Sequence, residues 1–221
     1  MAMKRSYNDG CGAAQALDLV GERWALLVVR ELLLGPKRFT DLRSGLPGIS
    51  PNVLSQRLDE LEQSSIVRKR KLPPPVSAQV YDLTDWGRQL EIVLQDLGRW
   101  AAQSPTFDRE ACLGIDSLVM SFRTMFTPSA AVGVHASYEL RVGDDVFHAE
   151  IDDGTFEIHR GSAAKPDAII DTSPNVFAEI VYDPTGDLAA AVRDGTVVIT
   201  GDPAAVERFT GYFTLPAPAA G

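Results

Sequence analysis

The sequence predicts an α+β protein in two parts. A helical unit closed by a two-stranded hairpin occupies residues 1–104. A sandwich of antiparallel sheet and helices follows over 110–213. Three observations carry this reading. Residues 11–64 hold apolar stripes at helical spacing, cut by Gly21, Gly35-Pro36 and Pro47-Gly48. Two strand-like runs, 66–71 and 79–83, flank Pro73-Pro74-Pro75. Beyond residue 110, alternating strands with Asp/Gly turns give way to helices announced by Ser-Pro and Asp-Pro pairs.

Two helices are expected around Gly21, the first anchored by Leu17 and Val20, the second by Trp24, Leu27, Val28 and Leu32. Gly35-Pro36 ends the second. A short helix from Phe39 to Leu46 is broken by Pro47-Gly48. The next opens at Ser50-Pro51, a side-chain cap followed by proline at the first helical position. Leu54, Leu58 and Leu61 give it a buried stripe. After the hairpin, Thr84-Asp85 caps a helix to about Gln103. Its wide stripe of Trp86, Leu90, Val93, Leu94, Leu97 and Trp100 suits a subunit interface better than closure of its own core. The polar joint at Ser104-Pro105-Thr106 marks the boundary. In the second part a helix is expected over 111–126, then strands at 137–142, 146–151, 155–159, 168–172 and 196–200. Ser173-Pro174, Asp183-Pro184 and Asp202-Pro203 start helices of about 174–182, 185–194 and 203–213. The tail 214–221 lacks any pattern and is expected to be disordered.

Charge divides the chain at the same place. The net charge is −9, yet residues 1–104 carry 14 Lys/Arg against 12 Asp/Glu, whereas 105–221 carry 7 against 18. Within 37–71 there are 8 basic and 4 acidic residues. One part is locally basic where it could meet phosphate, and the other would be repelled by it. Only Cys11 and Cys112 are present, so no disulfide framework is expected and the compartment reads as reducing cytoplasm. No apolar run approaches the roughly 20 residues of a membrane span, and no apolar signal segment opens the chain. His135, His148 and His159 lack metal-ligand spacing, and no phosphate-loop or dinucleotide fingerprint occurs. Neither a metal, a cofactor nor an enzyme activity is expected.

The polar face opposite Leu54, Leu58 and Leu61 holds Asn52, Ser55 and Gln56, with Arg57 at its edge. Short amides and a guanidinium are groups that read base edges and phosphates. Any surface pair of helices has one polar face, so that alone decides nothing. The basic run Arg68-Lys69-Arg70-Lys71 directly behind it makes the hairpin a wing beside a recognition helix. The expected DNA contacts are Arg38, Thr40, Ser50, Asn52, Ser55, Gln56 and Arg57 from the helix pair, and Arg68, Lys69, Arg70 and Lys71 from the wing. Two recognition helices in a homodimer imply double-stranded DNA with a pseudopalindromic operator, its half-sites about 34 Å apart.

Several short blocks recur in the register of a known family. They are Cys11; Gly21 with Arg23-Trp24; Arg30-Glu31-Leu32; Gly35-Pro36 with Arg38-Phe39 and Leu42; Ile49-Ser50 with Leu54, Arg57-Leu58 and Leu61-Glu62; and Tyr81-Asp82-Leu83-Thr84 with Gly87. From Cys11 to about Ser104 the chain resembles the HxlR family of bacterial winged-helix transcriptional regulators. The resemblance implies a DNA-binding dimer with a recognition helix in the major groove and a wing beside it. Ser65 departs from it, since the family usually has glycine there, at some cost if its φ is positive.

The second part looks like a sterol carrier protein type lipid-binding domain. The resemblance rests on Phe156, Pro166-Asp167-Ala168-Ile169, the helix pair and the run from Gly195 to Pro203. It implies a sheet under helices with an apolar tunnel, hence a hydrophobic small-molecule effector. The expected lining is Phe122, Met125, Phe126, Phe177, Val181, Leu188 and Phe209, each equally compatible with ordinary core packing. A rival reading makes the chain a lipid carrier or structural dimer whose first part only mediates association. Cys11, where some members of the resembled family sense oxidants, reads rather as a packed small residue, with no cation beside it to lower its pKa. Cys112 reads as core.

Overall fold

A computed structural model describes residues 6–74, 77–109 and 111–219. It falls into two compact units, Met1–Leu94 and Gln95–Gly221, a division ten residues ahead of the polar joint.

The first unit runs α1 (Gly12–Val20), α2 (Ala25–Leu33), α3 (Phe39–Gly45), α4 (Pro51–Gln63), β1 (Val67–Lys71), β2 (Gln79–Leu83) and α5 (Asp85–Arg88), and then enters α6 (Leu90–Ala101). Its core is Val28, Val29 and Leu32 of α2, Leu42 of α3, Leu54, Leu58 and Leu61 of α4, and Val80 and Leu83 of β2, all essentially dry. Leu17 and Leu27, expected as anchors, are 53% and 37% exposed, so each stripe is narrower than its apolar spacing suggests. Trp24 is not part of the α2 stripe. It precedes the helix at φ +79, a left-handed conformation that a bulky residue adopts only under constraint.

Local chemistry fixes α4 at both ends. The Ser50 hydroxyl accepts the Val53 amide at 3.3 Å, and Pro51 occupies the first position. At the other end Ser65 takes φ +58. Its amide bonds Glu62 O at 3.0 Å, and the next amide, Ile66, bonds Leu61 O at 2.9 Å. This is the glycine-type helix stop built on a serine. It turns the chain straight into β1. β1 and β2 pair antiparallel with Arg68 opposite Asp82 and Lys69 opposite Tyr81. Lys37 adds a bridge to Tyr81, which ties the segment before α3 to the hairpin.

The second unit contains α7 (Ile115–Met125), a 3-10 turn (Pro128–Ala131), β3 (His135–Val142), β4 (Asp145–Asp152), β5 (Thr155–Arg160), β6 (Ala168–Thr172), α8 (Pro174–Tyr182), α9 (Leu188–Arg193), β7 (Val197–Gly201) and α10 (Pro203–Thr210). The sheet order is β5-β4-β3-β6-β7, antiparallel except for the parallel pair β3 and β6. Helix α7 begins at Ile115, later than residue 111, and ahead of it the Leu113 amide donates to Asn175 Oδ1 at 2.9 Å. Asp183 does not start a helix. Its carboxylate caps the Thr185 amide in a local turn, and Asp187 supplies the cap of α9 by accepting from Ala190. The tail expected to be disordered is described to residue 219. It carries no regular element, yet Thr214 bonds Met125 O and Ala219 bonds Gln103 O. Cys112 is exposed rather than core. Among the described residues no helix is long and apolar enough to cross a membrane, and no cluster of His, Cys, Asp and Glu could hold a metal.

Candidate nucleic-acid interface

Helix α4 exposes Asn52, Ser55 and Gln56 on one face, while Leu54, Leu58 and Leu61 hold the other against the core. Gln56 Nε2 donates to Glu60 Oε1 at 3.0 Å, which holds the amide along the helix. Ser50 is exposed, but its hydroxyl is committed to capping. Arg38 and Thr40 are exposed at the start of α3, where Asp41 fastens the turn by accepting the Arg38 amide at 3.1 Å.

Arg57 does not belong to this face. Its side chain is only 9% exposed, is ion-paired with Glu60 one turn on, and lies 3.7 Å from Glu22 between α1 and α2. A guanidinium so enclosed is a strut of the unit rather than a phosphate ligand, and it corrects the expectation drawn from helical spacing.

The wing presents its four cations unequally. Lys69 Nζ lies 2.7 Å from Glu62 and 3.4 Å from Asp59, and 5.6 Å from the centre of the Tyr81 ring. The Glu62 carboxylate holds its ammonium above the usual lysine pKa. Arg68 and Arg70 reach Asp82 at 3.5 and 2.9 Å. Among the described residues Lys71 makes no ion pair, and it is exposed. A cleft of about 390 Å³ opens beside Lys69, Arg70, Lys71, Ser77 and Gln79. Exposed amides on a helix, cations beside it and a helix-capping turn between are together the parts of a duplex-reading surface. Helical spacing found the exposed amides. It missed Glu22 and Asp82, although counting the hairpin register from Arg68 would have placed Asp82 opposite.

Two other expected sites lie outside this surface. In the second unit Phe122, Phe177 and Phe209 meet ring to ring at 5.1 to 5.8 Å between centres, and Phe213 lies 4.8 Å from Phe122. Phe122, Phe177, Phe209 and Met125 are buried, whereas Phe126, Val181 and Leu188 are half-buried. Rings at these spacings are in contact, so they fill the volume that a ligand between them would need. Cys11 is exposed, at the position just before α1. Its thiol makes no capping hydrogen bond, but the amides of Ala13 and Ala14 face it and hold its pKa below the ordinary thiol value. Backbone dipoles therefore supply what no neighbouring cation does.

A model of the HxlR-like helix-turn-helix family matches residues 19–107. The HTH-type transcriptional regulator YodB of Bacillus subtilis (strain 168) is 41% identical over 88 residues, which cover 40% of this chain and 79% of YodB. The structure of the reduced form of YodB is 38% identical, covering 43% of this chain and 95% of YodB, with a TM-score of 0.40. The quinone-bound form of YodB is 37% identical over 41% of this chain and 96% of YodB, with a TM-score of 0.37. The family match ends at residue 107, ahead of the sheet that begins with β3 at His135. Over residues 19–107 this chain belongs to the HxlR-like helix-turn-helix family of transcriptional regulators.

Proposed function

We propose that the protein is a homodimeric, sequence-specific DNA-binding regulator. Asn52, Ser55 and Gln56 of α4 read base edges in the major groove, and the wing grips the backbone through Lys71, Arg68 and Arg70. The single observation that carries this is the exposed amide face of α4 set beside a hairpin with four successive cations. Arg38 and Thr40 at the start of α3 are placed to meet a phosphate. The DNA-binding part is taken as residues 1–104, which keeps the whole of α6 with it. Ile92, Val93, Leu97 and Trp100 of that helix are 43–72% exposed, an apolar face that a second copy would cover. A two-fold pair of recognition helices then reads a pseudopalindromic operator. The test is a gel shift at several salt concentrations, on a duplex selected by the wild-type protein from a random-sequence pool and on unselected duplex. Gln56→Ala is expected to cost about 1–3 kcal/mol on the selected duplex and little on the unselected one. Equal loss on both would refute base reading by α4.

We infer a sterol carrier type domain over residues 110–213; the five-stranded sheet with helices and the Gly201-Asp202-Pro203 join from β7 into α10 support that reading. An apolar effector would enter past Phe126, Val181 and Leu188 and would have to part the packed rings. Organic extraction of the purified protein followed by mass spectrometry tests this; an empty interior leaves the unit structural. A second reading, favoured by the lowered pKa of Cys11, makes the first unit redox-responsive. YodB has been solved in reduced and quinone-bound forms, and a thiolate at the start of α1 is the group an electrophilic quinone would attack.

A further inference from the structure

Side chains alternate along β1, so Arg68 and Arg70 share one side of the hairpin and Lys69 and Lys71 the other. Asp82 of β2 lies on the arginine side, directly opposite Arg68, with its side chain 2% exposed. One carboxylate oxygen meets Arg70 Nε at 2.9 Å and Arg68 at 3.5 Å; the other accepts from Arg88 of α5 at 2.7 Å. Three guanidiniums, 53%, 43% and 42% exposed, thus surround one buried carboxylate. Arg70 engages through Nε, so its terminal pair of nitrogens stays out of that bond and can form a fork toward a phosphate or a guanine. A carboxylate beneath a basic hairpin weakens the field that attracts DNA. Burying it is also costly without partners. Its presence is explained by geometry rather than by charge.

We propose that Asp82 is a positioning residue for DNA recognition, aiming Arg68 and Arg70 so that the wing meets the duplex with fixed guanidiniums rather than mobile cations. Fixing them beforehand removes the rotamer entropy that would otherwise be lost on binding. The proposal rests on the reading that the wing touches DNA.

The full chain is titrated with the selected and unselected duplexes over a range of salt. Charge alone requires Asp82→Asn to bind both more tightly. Positioning requires the selected duplex, on which α4 fixes the register at which the aimed guanidiniums meet the backbone, to bind about tenfold more weakly; the unselected one, free to shift its register, does not weaken, so the ratio collapses. A ratio equal to or above that of wild type overturns the proposal. If a thermal melt shows Asp82→Asn unfolded, the double variant Arg68→Lys, Arg70→Lys decides, since it keeps both charges at exposed positions. It is expected to retain the salt slope and the unselected affinity but to lose about tenfold on the selected duplex. Wild-type behaviour on both overturns the proposal. Lys71→Ala separates the premise from the inference. If it and Arg70→Ala leave affinity and salt slope untouched, the wing does not meet DNA and the broader reading fails. A lower slope for Lys71→Ala with an unchanged ratio in the Asp82 variant overturns the positioning role alone.

Discussion

The Arg57 guanidinium in the middle of α4 lies 3.7 Å from the Glu22 carboxylate, in the elbow between α1 and α2. The same guanidinium pairs with Glu60, and its Nε is buried without a hydrogen-bond partner. The α1–α2 elbow therefore touches α4 directly. Glu22 and Glu60 are 62% and 34% exposed, so removing Arg57 strands no buried carboxylate. Arg57→Ala is expected to cost about 1–2 kcal/mol of stability, chiefly lost stem packing and one charged hydrogen bond. Urea unfolding measures it. The salt slope of DNA binding should not change, and a fall of about one would return Arg57 to the phosphate contacts.

Lys69 and Lys71 sit two residues apart with different fates. The first is satisfied by Glu62 at 2.7 Å, and the second makes no ion pair among the described residues. A cation already neutralised within the protein releases fewer DNA counterions. Lys71→Ala is therefore expected to lower the salt slope by about one, and Lys69→Ala by distinctly less. Equal slopes would mean that Lys69 leaves Glu62 on binding.

What could be read from the sequence was what neighbours in the chain decide. Ser50-Pro51 and the Leu54, Leu58, Leu61 stripe place α4 because cap, proline and stripe act within a few residues. Asp183-Pro184 has the same form and failed, since Thr185 takes the carboxylate first. The pairing of the wing cations was hidden for a related reason. Their partners, Asp59, Glu62 and Asp82, come from another helix or from the opposite strand, and a run of like charges says nothing of what faces it. The exposure of Leu17 and Leu27 was equally hidden, because spacing marks an apolar side but not how far the core covers it.

Cys11 is expected to react with iodoacetamide at lower pH than an ordinary thiol of pKa about 8.5. The Ala13 and Ala14 amides stabilise its thiolate. The sign for stability follows from the lowered pKa. The thiolate's contribution is complete above the ordinary thiol value and fades as the pH falls through the folded one. Cys11→Ser lacks it, so the two proteins should differ most in alkaline solution and converge toward neutral pH. Alkylation rates with the pH midpoint of the unfolded chain would remove both the shift and the redox reading. Comparing DNA affinity of wild type and Cys11→Ser with and without a quinone then decides regulation, and identical responses would end it.

Trp100 is 72% exposed on the apolar face of α6. Trp100→Glu places a charge where a second copy is proposed to dock, and burying it unpaired would cost several kcal/mol. Sedimentation at micromolar concentration should show a dimer for wild type and a shift toward monomer for the variant. An unchanged dimer would place the interface elsewhere.

Ser65 carries a side chain through the left-handed turn that ends α4, at φ +58. Its amide and carbonyl are both engaged, the first by Glu62 O and the second by the Thr84 hydroxyl at 2.7 Å, so the conformation is imposed by its surroundings. Glycine adopts it without the Cβ clash, and relief of about 1 kcal/mol is partly offset by the greater freedom of glycine in the unfolded chain. Ser65→Gly is therefore expected to stabilise the first unit by up to about 1 kcal/mol in urea unfolding, with DNA affinity unchanged. A destabilised variant would show that the serine side chain makes a contribution larger than the strain it imposes, and the helix stop would then owe its geometry to more than the backbone bonds of Ser65 and Ile66.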